Sequence, residues 1–230
     1  MIKFPKKYPD ISKREFVEGF VKKSGAKSVA NPSAVFMAGL PGAGKTEFSR
    51  NLVELVGGAK AVRIDMDEIA SQIKGYVPER ADKYRESATK LLNGVLDRVI
   101  HERMNFVLDG TFSSKNAIKN IERVIKHGYS VKVVYIVQDP KLAWEFTKAR
   151  EKVEHRSITQ EGFIEAYFSI IKNINEMTSL LKNNDKIVLD IVWKNEDNLI
   201  GSLWPNVRQE IDKLVKTSYN NKTLKEYIDD

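Results

Sequence analysis

The chain has 230 residues, 42% of them hydrophobic, which is enough for one sizeable core, and it has no cysteine, which excludes disulfides, thiolate catalysis and cysteine-ligated zinc. No apolar run approaches a membrane span, and Met1 to Lys7 carry charge with no apolar stretch behind them, so a soluble cytoplasmic protein with no membrane partner is expected. The net charge of +7 is spread along the chain and reads first as solvated lysines on helix faces, with nucleic acid or polyanionic small molecules as the partner classes it leaves open.

Ile11 to Lys23 is predicted as a short amphipathic helix with Phe16 and Phe20 four apart, and Ser24 to Ser33 as a linker. Ala34-Val35-Phe36-Met37-Ala38 is an apolar run suited to a buried strand. Directly after it, Gly39-Leu40-Pro41-Gly42-Ala43-Gly44-Lys45-Thr46 fits the phosphate-binding pattern G-x-x-x-x-G-K-[ST] without a mismatch. Glycines let backbone N–H groups turn toward phosphate oxygens, and the helix that follows offers unpaired N–H groups and a positive dipole end. Lys45 is placed to reach the β- and γ-phosphates of a nucleotide, and the Thr46 hydroxyl to bind Mg²⁺. Phe48, Leu52, Leu55 and Val56 then recur at helical spacing, with Gly57-Gly58 as the stop.

Ala59 to Asp65 is predicted as a second strand, Asp67 to Ile73 as a short helix, and Glu79 to Arg103 as a long one with apolar residues three and four apart. Asn105 to Asp109 reads as a third strand, Lys115 to His127 as a helix, and Val131 to Val137 as a fourth strand. A helix from Pro140 leads into the charged segment Lys148 to Ser157, and another runs from Gln160 to Leu181. Lys186 to Trp193 is the predicted fifth strand, followed by an amphipathic helix carrying Val207, Ile211, Leu214 and Val215, then a polar tail. Strands alternating with helices imply an α/β fold with a parallel sheet, whose ligands sit at the carboxyl ends of the strands.

Three groups at those ends carry chemistry. Asp65 and Asp67 close the second strand, and their carboxylates suit Mg²⁺ binding or acceptance of a hydroxyl proton. Asp65 with Glu68 three later also fits a helix N-cap and capping box, which leaves Asp67 as the chemical candidate. Asp109-Gly110-Thr111 ends the third strand, where an acidic group beside the phosphate loop would contact Mg²⁺ or its waters; the same three residues also make an ordinary turn. Arg150 and Arg156 sit in the charged segment, which fits either a lid that steadies a transferring phosphoryl group or a solvated face with salt bridges. His101, His127 and His155 share no metal-ligand spacing and are assigned no role.

Assembled, these residues resemble the zeta toxin family of P-loop kinases from about Asn31 to Leu181. The matching segments are the loop with its Asn31-Pro32-Ser33 entry, Ile64-Asp65-Met66-Asp67, Leu108-Asp109-Gly110-Thr111, and Arg150 with Arg156. The resemblance implies a P-loop NTPase three-layer sandwich with a mostly parallel five-stranded sheet. It implies an ATP- and Mg²⁺-dependent phosphotransferase acting on a hydroxyl of a small molecule, most directly a sugar nucleotide such as UDP-N-acetylglucosamine, with an antitoxin protein as a possible partner. In it, residues Gly39, Leu40, Pro41, Gly42, Ala43, Gly44, Lys45 and Thr46 hold the nucleotide, and Thr46 and Asp109 the metal. Asp67 is the base, Asp67, Asp109 and Thr111 bind substrate, and Arg150 and Arg156 contact the ATP phosphates. The chain differs from the best-known members in having Asp109 where they have Glu, and in lacking the arginine that follows shortly after. The implied organisation is a helical extension over 1–30, a kinase domain over 31–200, and a C-terminal amphipathic helix with polar tail over 201–230.

Two other readings fit the sequence. A nucleic-acid or nucleoside kinase would need a base-stacking groove, for which Tyr76, Phe112 and Tyr129 are the scattered candidates. A non-catalytic nucleotide-binding module would use the N- and C-terminal helices as partner surfaces.

Overall fold

The structure, a computed structural model, describes residues 12–53, 56, 60–154, 157–181, 184–211, 214–215 and 219–230. Six strands form one sheet in the order β2-β3-β1-β4-β5-β6. The strands are β1 (Ser33–Ala38), β2 (Val62–Asp65), β3 (Phe106–Asp109), β4 (Ser130–Val137), β5 (Ile187–Lys194) and β6 (Ile200–Trp204). The first five run parallel, and β6 pairs antiparallel with β5. The apolar runs in β1, β3 and β4 explain the central placement of these strands: both faces are covered, so alternation gives way to nearly continuous burial.

The helices are α1 (Lys13–Ser24), α2 (Lys45–Leu52), α3 (Met66–Ser71), α4 (Ala81–His101), α5 (Ala117–Lys126), α6 (Pro140–Glu154), α7 (Gln160–Leu181) and α8 (Asn221–Asp229). Ser12 and Glu15 close a capping box on α1, and Gly25 ends it in the left-handed conformation. Its buried residues Val17, Phe20 and Val21 join the main core. Close approach to α4 is possible because of Gly94, where a Cβ would fall 2.5 Å from Lys13 Cε and 3.0 Å from Val17 Cγ2. No helix among the described residues is long and apolar enough to cross a membrane.

Two features depart from the sequence expectation. The sheet has six strands rather than five, because a hairpin at Asn195 to Leu199 returns the chain as an edge strand. All five residues of β6 are exposed and one is glycine, so no alternating pattern marked it. The C-terminal helix lies at α8 rather than over Val207 to Val215, part of which falls outside the described residues. Asn220 and Thr223 form its capping box, and Leu224 and Ile228 are its buried contacts. Val207 instead donates its backbone N–H to Leu189 O at 2.7 Å, and the Leu214 and Val215 N–H groups both donate to Ile211 O. Asn206 takes φ +51°, and residues 205–210 are not helical. The Gly57-Gly58 helix stop also lies outside the described residues.

Candidate active site

The loop between β1 and α2 is held from two sides. A Cβ on Gly39 would come within 2.5 Å of Ile136 O, and one on Gly42 within 2.1 Å of Ala143 O, so the loop lies directly against β4 and α6. Gly42 and Gly44 both take φ +80°, a conformation that side-chain-bearing residues rarely adopt. The Gly39 N–H donates to Thr111 O at 3.2 Å, which ties the loop to the end of β3.

Lys45 donates its ammonium to Leu40 O at 2.5 Å. Desolvation pushes its pKa down to about 8; Asp109 pulls it back up, and Arg150 pushes it further down. Arg150, on α6, is thus within electrostatic reach of the loop lysine, and its own ion pair is with Glu154 at 2.9 Å. Arg156 and His155 lie outside the described residues.

Beneath the loop is a charge cluster centred on Arg63 of β2. Its guanidinium donates to Glu68 Oε2 and to Ser49 Oγ, each at 2.9 Å, and to Asp65 and Asp109. Ser49 in turn donates to Asp109 Oδ2 at 2.6 Å. Burial works against the charge on Arg63, but Asp65 and Asp109 outweigh it and raise its pKa. Neither Arg63 nor Ser49 belongs to a motif visible in the sequence. Arg63 stands one residue before an apolar position in a strand, and its only signal was a charged residue in a segment otherwise suited to burial.

This cluster sorts the two aspartates of the second strand. Asp65 Oδ1 accepts the backbone N–H groups of Asp67 and Glu68, at 2.7 and 3.3 Å, while Oδ2 accepts from Arg63. Asp65 is therefore an N-cap, as its spacing suggested. The Glu68 side chain does not complete the box but turns to Arg63. Asp67 does not extend the strand; it stands in the first turn of α3 with its side chain toward solvent. Asp109 is buried at the end of β3 beside Asp65.

The segment after Asp109 is held by a residue the sequence reading did not single out. The buried Asn173 of α7 donates to Phe112 O at 2.7 Å and to Ser114 O at 3.0 Å. Phe112 takes φ +65° and packs edge-on against Phe36, which leaves the Thr111 hydroxyl beside Ser113 Oγ at 2.6 Å. Phe112 and Tyr129 are both buried, and Tyr76 is packed against Tyr84, so these aromatics do not line a base-stacking groove. His101 and His127 lie near the opposite ends of the strands, with Arg103 and Arg123.

Arg63→Met removes a cation paired with Asp65, Glu68 and Asp109. Breaking a buried ion cluster from one side costs about 3 kcal/mol or more. The expected outcome is a loss of about that size in urea unfolding at neutral pH.

The family model described as Zeta toxin matches residues 19–203, well over half of the chain. Among curated proteins, Toxin PezT of Streptococcus pneumoniae is 28% identical over 134 residues, covering 55% of this chain and 53% of its own length, so the match spans about half of that relative. Among solved structures, one from the PezAT chromosomal toxin-antitoxin system of Streptococcus pneumoniae superposes with a TM-score of 0.70 at 18% identity, over 98% of this chain and 96% of that one. A chain of the AvrRxo1-ORF1:-ORF2 complex superposes with a TM-score of 0.58 at 11% identity, over 86% and 66%. At these identities the superpositions establish a shared fold.

Proposed function

The chain belongs to the zeta toxin family, and on that premise we propose that it is a cytoplasmic P-loop kinase moving the γ-phosphoryl group of ATP to a hydroxyl of a small molecule. The observation that carries this reading is the loop itself, closed against α6 so that Arg150 bears on the ammonium of Lys45. An NTP-binding loop that only cradles phosphate has no need of a second cation on a separate helix. A phosphoryl-transfer site does, because charge spreads over the oxygens of the transferring group.

In this proposal residues 39–46 hold the triphosphate through backbone N–H groups, and Lys45 meets its β- and γ-phosphates. Thr46 and Asp109 supply hard oxygen donors of the kind Mg²⁺ prefers, with phosphate oxygens and water completing the set. That ion would neutralise charge on the phosphates. Among the described residues no group of three or more acidic or histidine side chains forms a metal cage, which is in keeping with a cation that arrives with its nucleotide. Arg150 and Arg156 steady the transferring phosphoryl group, Asp67 accepts the acceptor's hydroxyl proton, and Asp109 with Thr111 faces the acceptor. Arg63 holds Asp65 and Asp109 in place, so that α3 presents Asp67 from a fixed turn.

For the acceptor we propose a sugar nucleotide such as UDP-N-acetylglucosamine, supported by family membership and the Ile64 to Asp67 and Leu108 to Thr111 segments. An antitoxin protein is the proposed partner. The test is incubation with γ-labelled ATP and three acceptors: UDP-N-acetylglucosamine, a nucleoside and a 5′-hydroxyl oligonucleotide. Label on the sugar nucleotide alone is expected. Label on the oligonucleotide alone would overturn the acceptor assignment and favour a nucleic-acid kinase.

A further inference from the structure

The β5–β6 hairpin reaches the phosphate loop. A Cβ on Gly44 would sit 3.2 Å from Lys194 Nζ and 3.4 Å from Asn198 Oδ1, so both side chains abut the glycine that caps α2. The placement is built rather than incidental. The β5–β6 ladder shifts register between Trp193 and Lys194, an irregularity of the kind that re-aims a side chain. Asn198 takes φ +59° in the turn, and Lys194 donates to Asn198 O at 2.5 Å. The buried Gln138, at the end of β4, donates to Asn195 O at 3.0 Å and to Asn198 Oδ1 at 3.3 Å, which anchors the turn to the sheet.

This arrangement concentrates positive charge. Burial lowers the pKa of Lys194, only partly offset by Glu47. Lys45, Arg150 and the N-terminal end of α2 share the same region. A partly buried ammonium beside a positive helix terminus is unfavourable by itself and becomes favourable when an anion lies between them. A cavity of about 600 Å³ opens beside the loop at Leu40 and runs between the ends of β4 and β5, with the hairpin from Trp193 to Asp197 as one wall. Trp193 lines it, and its buried indole N–H has no acceptor among the described residues. A buried donor of that kind costs free energy until it is paired.

From these observations we infer that the β5–β6 hairpin clamps the donor nucleotide, with Lys194 as a second phosphate-binding lysine and the nucleoside in the cavity behind it. This rests on the nucleotide-dependent reading given above. It assigns a function to an edge hairpin that the motif residues do not include. The ligand class is a nucleoside triphosphate, since Lys194, beside Gly44 of the phosphate loop, also lines the base-sized cavity.

Calorimetric binding of the non-hydrolysable analogue AMPPNP with Mg²⁺ tests it on the full chain. Lys194→Met is expected to weaken binding about tenfold or more, the loss of one charge-assisted contact. Lys194→Arg is expected to stay within about threefold of wild type. Without nucleotide, the melting temperature of Lys194→Met should match or exceed that of wild type, because a desolvated cation has gone; a merely structural lysine would lower it. Unchanged AMPPNP affinity in Lys194→Met overturns the inference. So does an affinity lost equally in Lys194→Arg, since charge is then not what binds. Failure of the wild-type chain to bind AMPPNP overturns the nucleotide reading itself, so the two failures are separate.

Discussion

Lys45→Ala is expected to lower phosphoryl transfer by about a thousandfold or more, with nucleotide affinity falling alongside. The effect is electrostatic. The Lys45 ammonium is desolvated where it donates to Leu40 O, and its pKa is depressed to about 8. That cost is reversed when the phosphates of the nucleotide arrive, so the lysine contributes most where negative charge is greatest. The depressed value carries a second signature. Above pH 8 the unliganded lysine begins to lose its proton, while phosphates hold it charged in the complex. Binding must then take up a proton, and affinity should fall by up to about tenfold per pH unit above 8. The sign is opposite to that of a site governed by a carboxylate, which would gain affinity for its cation as pH rises. Titrating ATP from pH 7 to pH 9.5 reads the slope directly, and Lys45→Ala should flatten it.

Asp67→Asn is expected to reduce kcat by about a thousandfold while changing the KM for ATP by less than about threefold. The two carboxylates at this turn are not equivalent. Both oxygens of Asp65 are engaged, one by the backbone of α3 and one by Arg63, so it caps the helix and cannot serve as base without uncapping it. Asp67 stands two residues further on, exposed in the first turn of α3. Asparagine keeps the shape and the helix while removing the proton-accepting charge. A kcat within tenfold of wild type would take Asp67 out of the proposal. Asp109 would be a poor replacement, since Arg63 and Ser49 already hold its Oδ2.

The phosphate loop and its strand–loop–helix setting were legible in the sequence because glycine, lysine and threonine at fixed spacing have few other uses. The parallel core was legible for a related reason: the runs at Ala34 to Ala38 and Val131 to Val137 are too continuously apolar for a half-exposed strand. The cap role of Asp65 could be read from spacing alone, since it depends only on its neighbours along the chain. What escaped was non-local. Arg63 gains its meaning from Asp109, 46 positions along, and from Ser49 on α2. Asn173 acts on a loop 59 and 61 positions away. Lys194 stands beside Gly44 only because an unforeseen hairpin turns back over the loop. Periodicity and motif spacing describe a residue's near neighbours, and none of these three contacts has one.

The proposal stands or falls on the movement of one phosphoryl group. With saturating γ-labelled ATP and UDP-N-acetylglucosamine, the wild-type chain should place label on the acceptor in a one-to-one ratio with ADP formed. Asp67→Asn should bind the same ATP and transfer at about a thousandth of the rate. ATP bound by both proteins with no label leaving the γ-position, for this acceptor or any other small hydroxyl compound tried, would contradict the account and leave a nucleotide-binding module in its place.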